Sequence, residues 1–121
     1  TEIYIDRGSD KGCRQASCSP GCSCDRFLEI WNLVFMQFDR QPDGSDKPLK
    51  QTGVDTGMGL ERIAAVVQNK DSVYQTDLFM PIIEKTQELC DKKYANQPDD
   101  IKAAFHVLAD HIRSSTLIIA D

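Results

Sequence analysis

The sequence predicts an α+β fold with an antiparallel sheet, and three observations carry that prediction. Strand-like segments come first and helix-like segments follow. The longest apolar segment, Arg26 to Arg40, is rich in aromatic and branched residues on both faces of an extended chain. A turn signal, Gln41-Pro42-Asp43-Gly44, follows it directly and reverses the chain into an antiparallel partner.

The elements follow in order. Thr1 to Asp6 alternates, with Ile3 and Ile5 on one face and Glu2, Tyr4 and Asp6 on the other, the pattern of a half-buried strand. Residues 7–25 are dominated by Gly, Ser, Pro and Cys and predict no regular element. In the long strand, Leu28, Ile30, Val34, Met36 and Phe38 share a face with one polar member, Asn32, while Phe27, Trp31, Leu33 and Phe35 share the other. Both faces are expected to be covered. A helix is the competing reading for so long an apolar run. The partner strand is expected near Gln51 to Asp55. Leu60, Ile63, Ala64 and Val67 then recur at helical spacing, giving a first helix that runs to about Asn69. A second helix is expected from an Asp77 cap, with Pro81 in its first turn and Leu78, Ile82, Ile83 and Leu89 buried. Cys90, at its end, reads as a small buried hydrophobe. A polar linker through Lys92-Lys93 ends at Pro98. A third helix, capped by Asp99 or Asp100, carries Ile101, Phe105, Leu108, Ile112 and Ile119 on one stripe.

Composition excludes several function classes. The 121 residues are about one domain. Lys and Arg number 14 against 19 Asp and Glu, a net charge of −5 spread evenly along the chain. A basic nucleic-acid-binding patch is therefore not the main theme, and no DNA partner is expected. No apolar run approaches the roughly 20 residues of a membrane helix, and no signal peptide is visible, so no membrane partner is expected. The chain opens on a strand-like run at Thr1 and stops at Asp121 without a helix-ending signal, as a piece of something longer would. Four of five cysteines fall in one short loop instead of stapling distant segments, which favours a reduced, intracellular protein.

Three places can carry chemistry. In Val54-Asp55-Thr56-Gly57-Met58-Gly59-Leu60-Glu61-Arg62, a strand gives way through two glycines to a helix with an arginine in its first turn. Glycines let a backbone approach a flat or phosphorylated ligand, a helix N-terminus offers N–H groups to an anion, and Arg62 adds a planar charged fork. Asp55 can hold an ammonium group. The segment is neither a dinucleotide fingerprint nor a P-loop. Its bland reading is a turn with a surface Arg62 paired to Glu61 or a neighbour. Asn32 is either a core amide with satisfied hydrogen bonds or a side chain that fixes a small polar ligand on the sheet. The cysteines Cys13, Cys18, Cys22 and Cys24 are spaced C-x4-C-x3-C-x-C. They can close a tetrahedral structural zinc site, or they are four reduced thiols in a loop. His106 and His111, five apart, do not suit a zinc pair on one helix face, so one is expected near the surface and the other in a polar contact.

Glu29-Ile30-Trp31-Asn32-Leu33-Val34-Phe35-Met36-Gln37-Phe38, Val54 to Ala64, and Ala109-Asp110-His111-Ile112-Arg113-Ser114 resemble the alanyl-tRNA synthetase family in residues, order and separation. Thr1 to Gly8 resembles the family segment before them. The resemblance implies an antiparallel sheet of the class II synthetase type with flanking helices, followed by the start of an α-helical tRNA-recognition region. It divides the chain into residues 1–95, the C-terminal half of the aminoacylation domain, and residues 96–121, the start of the helical region. The Cys-rich loop occupies residues 12–25, and residues 54–67 resemble the third class motif.

The implied site follows the same segments. Arg62 holds the γ-phosphate of ATP, Gly57 and Gly59 lie under the adenosine, Asp55 pairs with the alanine ammonium, and Asn32 and Val34 line the amino-acid pocket. Implied partners and cofactors are ATP with Mg²⁺, alanine and tRNA(Ala), in the cytoplasm, with structural Zn²⁺ on the four cysteines. The first two class motifs have no counterpart in these 121 residues, so the chain alone is expected to be inactive. The competing reading is a non-catalytic, zinc-stabilised interaction module or paralogue built from the same half-domain.

Overall fold

The computed structural model describes residues 1–121. Three strands, β1 (Glu2–Asp6), β2 (Phe27–Arg40) and β3 (Asp46–Met58), precede three helices, α1 (Leu60–Val67), α2 (Met80–Cys90) and α3 (Asp99–Ala120). The sheet has the order β1-β2-β3 and is antiparallel throughout, as the strands-first pattern requires. The chain divides into two compact units, Thr1–Ile63 and Ala64–Asp121, with the boundary inside α1.

In the first unit, β2 is the central strand. Its turn to β3 closes where the sequence places it: the Gln41 amide donates to the Ser45 carbonyl at 2.8 Å, and the Gly44 amide to Gln41 at 2.9 Å. Gly44 has φ of 85°, a conformation that any residue with a Cβ resists. Asp43 accepts from both the amide and the hydroxyl of Ser45. β3 is much longer than the short partner expected and includes Pro48, which an edge strand tolerates because one side of its backbone needs no partner.

The covered-on-both-faces reading of β2 holds only at its start. Ile30 is buried, but Val34, Phe35, Met36 and Phe38 are 45 to 59% exposed. Hydrophobicity reports what a strand can bury, and no other element of Thr1–Ile63 lies over this half of it. The segment before β2 carries one short 3-10 turn, Ser9–Lys11, although no regular element was expected there.

In the second unit, the core is Phe79, Ile83, Phe105 and Ala109, with Tyr74, Leu78, Ile82, Tyr94 and Ile101 packed around it. The helix boundaries and stripes depart from the pattern in four places. α2 starts at Met80, not at an Asp77 cap, because the Asp77 carboxylate accepts from the Gln68 amide at 2.6 Å instead. Pro81 does sit in the first turn, where its missing N–H costs nothing. Leu89 and Cys90 are exposed at the last turn of α2. The cap of α3 is Pro98; Asp99 and Asp100 lie within the first turn, where their charges favour the helix dipole. The inward line of α3 is Ile101, Phe105 and Ala109, whereas Leu108, Ile112 and Ile119 are exposed. A small residue at Ala109 lets the helices approach closely, which periodicity of large residues does not reveal.

His106, the residue after Phe105, stacks face to face on Tyr74 at 3.8 Å between centroids, and its Nε2 meets the Tyr94 hydroxyl at 2.6 Å. Its pKa is lowered by desolvation, with Lys102 adding to the effect. His111 is exposed beside Asp110.

Candidate functional site

The ladder between β2 and β3 gathers the residues singled out on the sheet. Asn32 pairs with Gly57 and Val34 with Asp55. Directly opposed residues point to the same face of an antiparallel pair, and residues two apart on one strand share a face. Asn32, Val34, Asp55 and Gly57 therefore form one patch. On the other edge Glu2 pairs with Asn32, and the Asn32 amide donates to its carboxylate at 3.5 Å. The Tyr4 hydroxyl donates to the other oxygen of Glu2 at 2.5 Å, and that contact raises the Tyr4 pKa. Glu2 was missed in the sequence because only strand register makes it a neighbour of Asn32, and Tyr4 because it joins the patch only through its bond to Glu2. Alternation places Glu2 and Tyr4 on one strand face, but it names no partner across the sheet.

The glycines differ from one another. Gly57 lies within β3, not in the break after it, and nothing of the chain comes within 4 Å of the place its Cβ would take. Neither glycine has a positive φ. The structure itself therefore does not require Gly57 to be glycine, and the space above this backbone is open. Gly59 sits between β3 and α1, and its amide donates to the Ile30 carbonyl at 3.0 Å. A Cβ there would meet Arg62 Cδ at 3.3 Å. Arg62, in the first turn of α1, folds back along Gly59 to donate to the Glu29 carbonyl at 2.9 Å, with the Glu29 carboxylate at 3.7 Å. Its ion-pair neighbour is thus Glu29, across the sheet. Thr56 accepts from the Trp31 indole and donates to the Asn32 carbonyl at 3.2 Å, fixing β3 against β2 beside the patch.

The four-cysteine loop is a second site. The sulfurs of Cys13, Cys18, Cys22 and Cys24 all lie within 4.8 Å of one another. Cys13–Cys22 and Cys18–Cys24 are each 3.7 Å apart, and all are free thiols. Zinc–sulfur bonds of about 2.3 Å in a tetrahedron put the sulfurs about 3.8 Å apart, so two of the pairs stand at that spacing and the others within 4.8 Å. The Arg26 amide, and then that of Cys13, pull the Cys24 thiol down to about 7 against the opposing effect of desolvation. Burial, with hydrogen bonds to Cys24 and Cys13, pushes Cys18 up to about 11. Cys22 is raised too: the Cys24 amide lowers it, but the Cys13 and Cys24 thiols outweigh that. Four thiolates this close repel one another unless a cation sits among them. A soft, all-sulfur donor set suits Zn²⁺, and four protein ligands leave no open position for catalysis.

The sheet runs through a glycine break into a helix with an inward-folded arginine, as the resemblance of residues 54–67 to the third class II motif implies. The family profile described as tRNA synthetases class II (A) matches residues 1–121, and the chain belongs to that family. Over all 121 residues it is 50% identical to the alanine–tRNA ligase of Desulfosudis oleivorans and 50% identical to that of Endomicrobium trichonymphae. Over 122 aligned residues it is 52% identical to that of Oleidesulfovibrio alaskensis. The chain spans 14% of the length of each of these relatives. No helix is long and apolar enough to cross a membrane.

Proposed function

We propose that the chain is the part of a cytoplasmic alanine–tRNA ligase that seats alanine and the nucleotide of ATP. The observation that carries this reading is the shared face of Asn32, Val34, Asp55 and Gly57, fixed by cross-strand pairing. Asn32 and Val34 line the amino-acid pocket, and Asp55 receives the alanine ammonium. Gly57 and Gly59 let the adenosine lie against the backbone, and Arg62 holds the γ-phosphate. The guanidinium has five N–H donors, so its bond to the Glu29 carbonyl leaves capacity for a phosphate.

The alanine carboxylate attacks the α-phosphate to give alanyl-adenylate and pyrophosphate, and the alanyl group passes to the terminal ribose of tRNA(Ala). These residues contribute by positioning and by charge complementarity. Mg²⁺, when bound to the phosphates, neutralises their charge. The four cysteines hold a structural Zn²⁺. Residues 1–95 form the C-terminal half of the aminoacylation domain, and residues 96–121 begin the helical region that meets tRNA.

Alanine-dependent exchange of pyrophosphate into ATP tests the reading. The isolated chain is expected to show none, because the segments that would complete the site are not among its residues. The full-length protein is expected to show robust exchange that Asp55→Asn abolishes. Exchange unaffected by Asp55→Asn overturns the assignment of Asp55.

A further inference from the structure

Arg26, between the four-cysteine loop and the sheet's central strand, joins the loop to the first strand. It stands two residues after Cys24, and its carbonyl accepts from the Arg7 amide at 2.8 Å. Its side chain grips Asp6 with both ends of the fork, Nε to Oδ1 at 2.9 Å and Nη2 to Oδ2 at 2.8 Å. The stem of the same side chain and the Cys18 thiol border one point of the loop, the place a Cβ on Gly12 would take. Gly12 marks how tightly these groups are packed. A Cβ there would lie 3.4 Å from Arg26 Cδ and 3.6 Å from the Cys18 sulfur.

Four thiolates around a dication leave a surplus of negative charge, and outer-shell partners that offset such charge tune metal affinity. Lysine would bring the charge but not a fork able to hold two carboxylate oxygens at once. We infer that Arg26 is the outer-shell positioning residue of the four-cysteine metal centre, offsetting its charge and fastening the metal loop through Asp6 to the β1–β2 ladder. The inference rests on the zinc reading proposed above. It makes metal occupancy a determinant of order where Asp6 pairs with Phe27.

The test uses the 121-residue chain. Zinc affinity is measured by competition with a chromophoric chelator, coordination by the visible spectrum of the cobalt-loaded protein, and ladder order by exchange of the Arg7 amide. Arg26→Gln is expected to weaken zinc binding by about tenfold or more. The tetrahedral cobalt–thiolate spectrum should persist, because all four sulfurs remain, while metal-dependent protection of the Arg7 amide is lost. Arg26→Lys is expected to recover part of the affinity. Unchanged zinc affinity in Arg26→Gln, with an equal loss of thermal stability in metal-free and metal-loaded protein, would show a packing role alone and overturn the inference. If Arg26→Gln does not fold, Asp6→Asn serves. Arg7 protection that no longer responds to metal supports the inference, and an unchanged response overturns it. A wild-type chain that takes up no zinc and gives no cobalt–thiolate spectrum defeats the four-cysteine reading itself, a result distinct from a loaded but Arg26-independent centre.

Discussion

Gly57→Ala separates a glycine kept for a ligand from one kept for the fold. The backbone at Gly57 does not occupy the left-handed region, and an added Cβ meets no atom of the chain within 4 Å. With no clash and no strain in the folded state, the dominant effect falls on the unfolded chain, which loses conformational freedom. Such a substitution stabilises by about 0.4–1 kcal/mol. For a two-state unit of this size that raises Tm by roughly 2–8 °C. The same methyl group stands in the open space where adenosine is proposed to lie, so the KM for ATP in the full-length protein should rise by about tenfold or more, the equivalent of roughly 1.4 kcal/mol.

Gly59→Ala provides the contrast. Its Cβ would press on Arg62 Cδ at 3.3 Å and displace the arginine from Glu29. That variant should lower the melting temperature slightly as well as weaken ATP use. The assays are thermal unfolding of the 121-residue chain and pyrophosphate exchange at varied ATP. A lower Tm for Gly57→Ala, or a KM for ATP equal to wild type, refutes the reasoning that the glycine is kept open for a ligand.

Two further predictions concern the second unit. Ile83 is fully buried among Phe79, Phe105 and Ala109, so Ile83→Ala should cost about 2–5 kcal/mol in denaturant unfolding; a loss below about 1 kcal/mol would mean that this core collapses around the gap. The lowered pKa of His106 means that the folded unit prefers the neutral ring. Its contribution is present in full above the ordinary histidine value and is lost as pH falls through the folded value, because the unfolded chain then binds the proton more readily. Chemical denaturation from pH 8 down to pH 5 should show this loss. His106→Phe keeps a ring on Tyr74 and should flatten that part of the profile, and a profile that remains as steep would place the titration elsewhere.

What the sequence determined by itself is what local chemistry determines. The Gln41–Gly44 turn closes because Asp43 and Gly44 provide a carboxylate acceptor and a positive φ within a few residues. The alternating and apolar runs became strands, and the Pro81 position held, because these constraints act within a turn or a pleat. The cysteine spacing was enough to mark a loop in which four sulfurs come together, and the Gly-Met-Gly break was enough to mark where β3 gives way to α1.

Tertiary structure decided the rest, through partners far away in the chain. Arg62 finds Glu29 and not its neighbour Glu61, because its stem lies along Gly59 toward β2. Register alone sets Asp55 beside Val34 and Glu2 beside Asn32, since a shift of one residue would send each to the opposite face. Leu89 and Ile119 look like core residues by periodicity, yet they are exposed. Burial depends on whether another element covers a face, and hydropathy along one helix carries no such information. The four sulfurs show both halves of this division. Their identity and spacing can be read in the chain, but their approach to within 4.8 Å of one another and the grip of Arg26 on Asp6 exist only in the folded structure.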